Sequence, residues 1–124
     1  DPASCLLIGL HNNSFRINIA QLADDPEFDS ILVEMTPIGR DNRLWSLEKL
    51  RSLRGSRVHV TGQLFYDNKH FVNADPDDVI AGEPKRMSLW EIHPVTDFEV
   101  CQEQDQTACL DKPGPQWTKL ERVP

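Results

Sequence analysis

Four side chains in the second half of the sequence have the types and spacing for chemistry: Asp67 and His70, then Glu91 and His93. Glu91 and His93 are two residues apart, so on a strand they leave the same face, with Trp90 and Ile92 turned toward the expected core. Asp67 and His70 stand where a preceding strand runs out. If the two strands pair antiparallel, the four groups meet at one end of the hairpin. Two imidazoles and two carboxylates are a ligand set for Zn²⁺ or another divalent ion. The same groups can serve as general acid and base, a carboxylate orienting a histidine. The favoured reading is structural, with no cofactor: a carboxylate accepting from an imidazole N–H satisfies polar groups where strands leave a sheet. His93 before Pro94 then fixes a kink. No residue is assigned a catalytic role. His11 and His59 read as ordinary exposed residues.

Other candidate chemistry is weaker. Arg40, Arg43, Lys49, Arg51, Arg54 and Arg57 face only Asp41 and Glu48 within their stretch. This is the one place for an anionic partner, and a solvated helix face is the simpler reading. Asp24, Asp25, Glu27 and Asp29, and separately Asp75, Asp77 and Asp78, lack the spacing of a calcium loop and read as turns. There is no Walker loop, GxSxG, HExxH or CxxC. A base-stacking surface needs aromatics interleaved with cations. Phe65 and Tyr66 adjoin, so only one of them is expected to face outward, and Lys69 is the one basic neighbour.

These groups need a scaffold, and the chain can supply one. Its 124 residues suit one domain with one core. With 39% hydrophobic and 27% charged residues it belongs among globular rather than disordered chains. The net charge of −7 disfavours a general phosphate-binding surface. No apolar run reaches the length of a membrane-spanning helix.

Cys5 to Leu10 reads as a first strand. Phe15 to Ile19 alternates with period two as a second, and Asn12-Asn13 turns between them. Ile31 to Met35 is a third strand, stopped by Pro37 and Gly39. Leu44, Leu47, Leu50 and Leu53 form the stripe of a single helix, capped by Asn42 or Ser46 and ended by Gly55. Arg57 to Tyr66 is a long fourth strand, with Val58, Val60, Gly62 and Leu64 on one face and a bulge or bend at Gly62. Residues 67–87 form a polar loop. Ser88 to Cys101 is a fifth strand interrupted at Pro94.

The order β-β-β-α-β-β predicts a mainly β fold with one helix, an OB-fold-like five-stranded barrel over residues 1–101. Residues 102–124 are expected to be a tail packed on the same domain, pinned by Trp117 and Leu120. An open α+β sheet and a small sandwich are the alternatives.

Of the three cysteines, Cys101 and Cys109 are expected to pair across a short loop, with Cys5 as a buried thiol; Cys5 with Cys101 is the competing pairing. A disulfide and a first residue that is not Met suggest a processed chain, secreted or periplasmic after removal of a signal peptide.

Arg57-Val58-His59-Val60-Thr61-Gly62-Gln63-Leu64-Phe65-Tyr66-Asp67-Asn68-Lys69-His70 resembles a "VRVTG…FFD…H" strand, and Trp90-Glu91-Ile92-His93-Pro94-Val95 resembles its partner "WE(I/L)HPV". Together they are similar to an uncharacterised family of bacterial domains, often exported, with an OB-like barrel. The resemblance covers roughly two thirds of the chain and implies the fold without implying an activity. The expected function is therefore a non-enzymatic binding or accessory domain that takes a protein or a small ligand on a barrel face or on loop 67–87. A metal-dependent hydrolase or nuclease on Asp67, His70, Glu91 and His93 is one alternative. A single-stranded nucleic-acid binder on the basic stretch is the other, and the charge balance disfavours it.

Overall fold

A computed structural model of the chain describes residues 3–11, 14–37, 44–69 and 85–124. The described residues are mainly β with one α-helix among them. The strands are β1 (Ala3–His11), β2 (Ser14–Ala20), β3 (Ile31–Met35), β4 (Arg57–Tyr66), β5 (Trp90–Cys101) and β6 (Trp117–Lys119). They form one mixed sheet in the order β3-β2-β1-β4-β5-β6, with a further parallel pairing between β3 and β5. The expected five strands and their order relative to the helix are present. The sixth was missed because only three residues of the tail pair with Glu99, Val100 and Cys101.

The helix α1 (Leu47–Ser52) is shorter than its leucine stripe predicts. Ser46 caps it, accepting from the Lys49 N–H at 3.1 Å. Leu44 therefore precedes the cap and is exposed, while Leu50 is buried and Leu47 and Leu53 pack beside it. Gly55 follows with φ +84°, the left-handed conformation that suits glycine after a helix.

The core lies between one sheet face and α1. Phe15, Ile17 and Ile19 from β2 meet Val33 and Met35 from β3, Val58 from β4 and Val95, Phe98 and Val100 from β5. Trp45, Leu50, Leu120 and Val123 close it. The period of two explains this selection on β2 and β3, while on β5 the step from Val95 to Phe98 is three, where the register with β4 shifts.

On β4 that alternation fails. The register shifts on both sides of Gly62, as its mid-strand position suggested. A Cβ at Gly62 would collide with the Pro94 carbonyl oxygen and the Ile92 Cγ2, so the close crossing of β4 and β5 requires glycine. Beyond this bulge Leu64 faces solvent rather than the core. β5 starts at Trp90, not Ser88, and is continuous through Pro94, whose peptide bond with His93 is cis.

Candidate functional site

All seven residues of β2 are buried, so both of its faces are covered. One face is the apolar core. The other carries Arg16 and Asn18, and beside them Leu32 and Glu34 of β3. The segment after residue 84 straps this second face. Asn18 Nδ2 donates to the Lys85 carbonyl oxygen at 2.9 Å and to Ser30 Oγ at 2.8 Å. The Lys85 N–H donates to Glu27 Oε1 at 2.6 Å, and the Met87 N–H to the Ser30 carbonyl oxygen at 2.8 Å. The Asp67 N–H donates to the Leu89 carbonyl oxygen at 2.9 Å. Arg86 is thereby held under the strap at 1% exposure.

A buried charge must find its opposite, and here basic and acidic side chains alternate across the sheet. Arg16 Nε lies 3.8 Å from Glu34 Oε2, its cross-strand partner on β3. Glu34 Oε2 lies 3.5 Å from His93 Nδ1, which lies 3.5 Å from Glu91 Oε1. Glu91 Oε2 accepts from Arg86 Nη1 at 2.6 Å, and the same nitrogen is 3.4 Å from Asp67 Oδ2. The parallel pairing of β3 with β5, Leu32 opposite Glu91, brings Glu34 and His93 together.

Burial raises the Glu91 carboxyl above its ordinary value; Arg86 opposes that shift and Asp67 adds to it. His93 is 28% exposed, yet its Nδ1 is buried and makes no hydrogen bond among the described residues. The Phe65 ring packs against the imidazole with centroids 5.0 Å apart.

The four residues named from sequence are only partly assembled. Glu91 and His93 do share a face. Asp67 and Glu91 meet: both are held by Arg86, and Asp67 stands close enough to raise the Glu91 carboxyl. His70 lies outside the described residues, as do Asp75, Asp77 and Asp78. Trp90 does not point into the core: it is half exposed, edge-on to Tyr66 at 5.0 Å.

Sequence reasoning missed Glu34, Arg16 and Arg86. Period two assigns Arg16 and Glu34 to a solvated face, and nothing local to Arg86 marks it as buried. A usable signal was the pairing of Arg16 with Glu34 on two adjacent amphipathic strands.

The expected basic patch is described only in part. Arg40 and Arg43 lie outside the described residues. Lys49 Nζ donates to the Leu120 carbonyl oxygen at 3.3 Å, while Arg51 and Arg54 are on the exposed side of and beyond α1. The backbone N–H of Arg57 donates to Gln106 Oε1 at 2.7 Å. Asp25 and Glu27 serve turn and strap hydrogen bonds to Leu22 and Lys85. Cys101 pairs with Cys109, which excludes the alternative with Cys5. His59 is not an ordinary exposed residue. It stacks on Trp117 with centroids 3.6 Å apart and lies 3.2 Å from Asp111 Oδ1.

No family model, curated protein or solved structure matches this chain. What remains is its own surface. Beyond the bulge, Leu64, Tyr66 and Trp90 are 65%, 49% and 50% exposed. Tyr66 and Trp90 are register partners, as are Leu64 and Ile92, so the three exposed groups share the face opposite Phe65 and His93. Phe65 is also exposed, contrary to the expectation that only one of the adjoining aromatics would be. No helix among the described residues is long and apolar enough to cross a membrane.

Proposed function

We propose that the chain is a non-enzymatic binding domain, an exported OB-like barrel that takes a protein partner on Leu64, Tyr66 and Trp90. The barrel reading is supported by a circuit of pairings. β1 pairs with β2, β2 with β3, β3 with β5 in parallel, β5 with β4, and β4 with β1 at Ala3 and Ser4. The helix falls between β3 and β4, as the OB order requires. Export is supported by the disulfide, which persists in oxidising compartments.

The observation that carries the binding reading is the exposed aromatic pair with Leu64 beside it. Tyr and Trp are the side chains most often found as anchors at protein interfaces, because they bury much area for few rotatable bonds. A nucleic-acid strand would need cations among these rings. The stretches Val60–Tyr66 and Trp90–Val95 contain no Lys or Arg. A small ligand would need a concavity enclosing it, whereas these rings stand half in solvent.

The test is a photo-crosslinking amino acid placed at position 66, at position 90 and, as control, at the exposed Lys112 in the source cell. The expected result is one protein adduct shared by 66 and 90 and absent from 112. That protein, purified, should bind the wild type in calorimetry and lose affinity for Trp90→Ser by tenfold or more. The same adducts at all three positions, or equal affinity for Trp90→Ser, would overturn the reading.

A further inference from the structure

We propose that Glu34, Glu91 and His93 form a binding site for a single divalent transition-metal ion of the zinc, manganese or iron class. The site is on the opposite sheet face from the aromatic pair and does not depend on the partner reading. One donor atom from each residue, the His93 Nδ1 and a carboxylate oxygen from each glutamate, lies within 4.8 Å of the other two.

The spacing is too long for a hydrogen bond shared directly between these atoms. A proton on Nδ1 would draw a carboxylate oxygen to about 2.7–2.9 Å, the length of a charge-assisted hydrogen bond. Both oxygens instead stand at 3.5 Å, and among the described residues Nδ1 makes no hydrogen bond although it is buried. Ligands about 2.0–2.1 Å from a tetrahedral ion are separated from one another by about 3.4 Å. The observed separations of Nδ1 from the two oxygens match that edge.

The surroundings are those of a ligand set already aimed. Arg86 holds Glu91 by Oε2 and leaves Oε1 toward His93. Arg16 lies beside Glu34. Such outer partners fix ligand orientation. One imidazole with two carboxylates selects ions of intermediate softness over Ca²⁺ or Mg²⁺, which prefer oxygen alone. Two glutamates neutralise a doubly charged ion. The partial exposure of His93 leaves a route for the ion to enter.

The experiment uses untagged protein stripped with a chelator and titrated with Co²⁺, then with competing Zn²⁺. The expected result is one ion per chain by calorimetry, a ligand-field absorption band that saturates at that ratio, and loss of the band when Zn²⁺ is added. The paramagnetic ion should shift the His93 ring signals in the NMR spectrum of the wild type and leave those of His59 in place. His93→Gln and Glu34→Gln should each weaken binding tenfold or more, while His59→Gln should bind as the wild type does.

Absence of binding to the wild type at 0.1 mM Co²⁺ (about the affinity of weak extracellular sites) would overturn the proposal. So would binding that shifts the His59 signals instead, or that survives both substitutions. The ring-signal readout needs no variant, so it decides the matter even if His93→Gln fails to fold.

Discussion

At the scale of single residues the most exacting side chain is Arg86. It is fully buried and serves two carboxylates, Glu91 at 2.6 Å and Asp67 at 3.4 Å. Removing one partner of a buried ion pair leaves the other charge stranded, at a cost of about 3–5 kcal/mol. Arg86→Ala should lower the urea unfolding free energy by that amount at pH 7. Arg86→Met combined with Asp67→Asn and Glu91→Gln should recover at least half of the loss, because the triple change removes both stranded charges. No recovery would mean that the loss comes from the hydrogen bonds of the guanidinium and not from stranded charge. Half of this network was legible in the sequence. Glu91, His93 and Asp67 were recognisable because their types and spacing repeat a known kind of chemistry. Arg86 was not, since burial of an arginine is decided by a strap that only tertiary contacts create. Glu34 was not, since its meeting with His93 depends on a parallel pairing of strands separated by 54 residues of chain from Met35 to Trp90.

At the scale of elements, β4 and β5 form the longest pairing of the sheet, and at Gly62 they come too close for a Cβ. Gly62→Ala places a Cβ against the Pro94 carbonyl and Ile92, so β4 must move outward. Overpacking of this kind costs about 1–3 kcal/mol, and the melting temperature should fall accordingly in a circular-dichroism scan. Gly62→Val should cost more. An unchanged melting temperature in Gly62→Ala would show that the strands separate freely at the bulge.

The loop closed by Cys101 and Cys109 is the second element under constraint. Asp105 caps its 3₁₀ turn (Gln106–Ala108), accepting from the Thr107 N–H at 3.0 Å and the Thr107 Oγ1 at 2.7 Å. The Thr107 hydroxyl, then its N–H, hold the Asp105 carboxyl below the ordinary 3.8. A lowered folded-state value gives stability that is present above 3.8 and is lost as pH falls through the lowered value. On going from pH 6 to pH 2.5 the wild type should therefore lose more stability than Asp105→Asn, measured as urea midpoints. Reducing the disulfide, which spans eight positions, should cost about 2–3 kcal/mol by loop-closure entropy. The strands were readable from period two and from turn residues, as β3 shows by matching its predicted bounds. The short β6 was not readable, because three residues carry no periodicity.

At the scale of the whole molecule the question is whether the last residues belong to the folding unit. Three kinds of contact tie them in. β6 lies on β5, with Trp117 opposite Cys101 and next to the disulfide. Leu120 and Val123 are buried in the same core as Phe98 and Ile17. Trp45 Nε1, at the entrance to α1, donates to Glu121 Oε2 at 2.9 Å, and Lys49 Nζ reaches the Leu120 carbonyl. The final segment thus joins the helix side of the core to the far edge of the sheet. Burial of a Leu or Val side chain contributes about 1.5–3 kcal/mol, so Leu120 and Val123 together supply a large part of the roughly 5–15 kcal/mol that holds a domain of this size. A chain ending at Pro115 should therefore lose its cooperative transition or melt at least about 15 °C lower, each kcal/mol being worth about 3–5 °C here. Leu120→Ala in the full chain should cost about 2–5 kcal/mol while leaving the transition cooperative. A truncated chain that melts within 5 °C of the wild type would place the terminal segment outside the cooperative unit. The core would then have to be closed by α1 alone, which the burial of Leu120 against Val100 and Phe98 argues against.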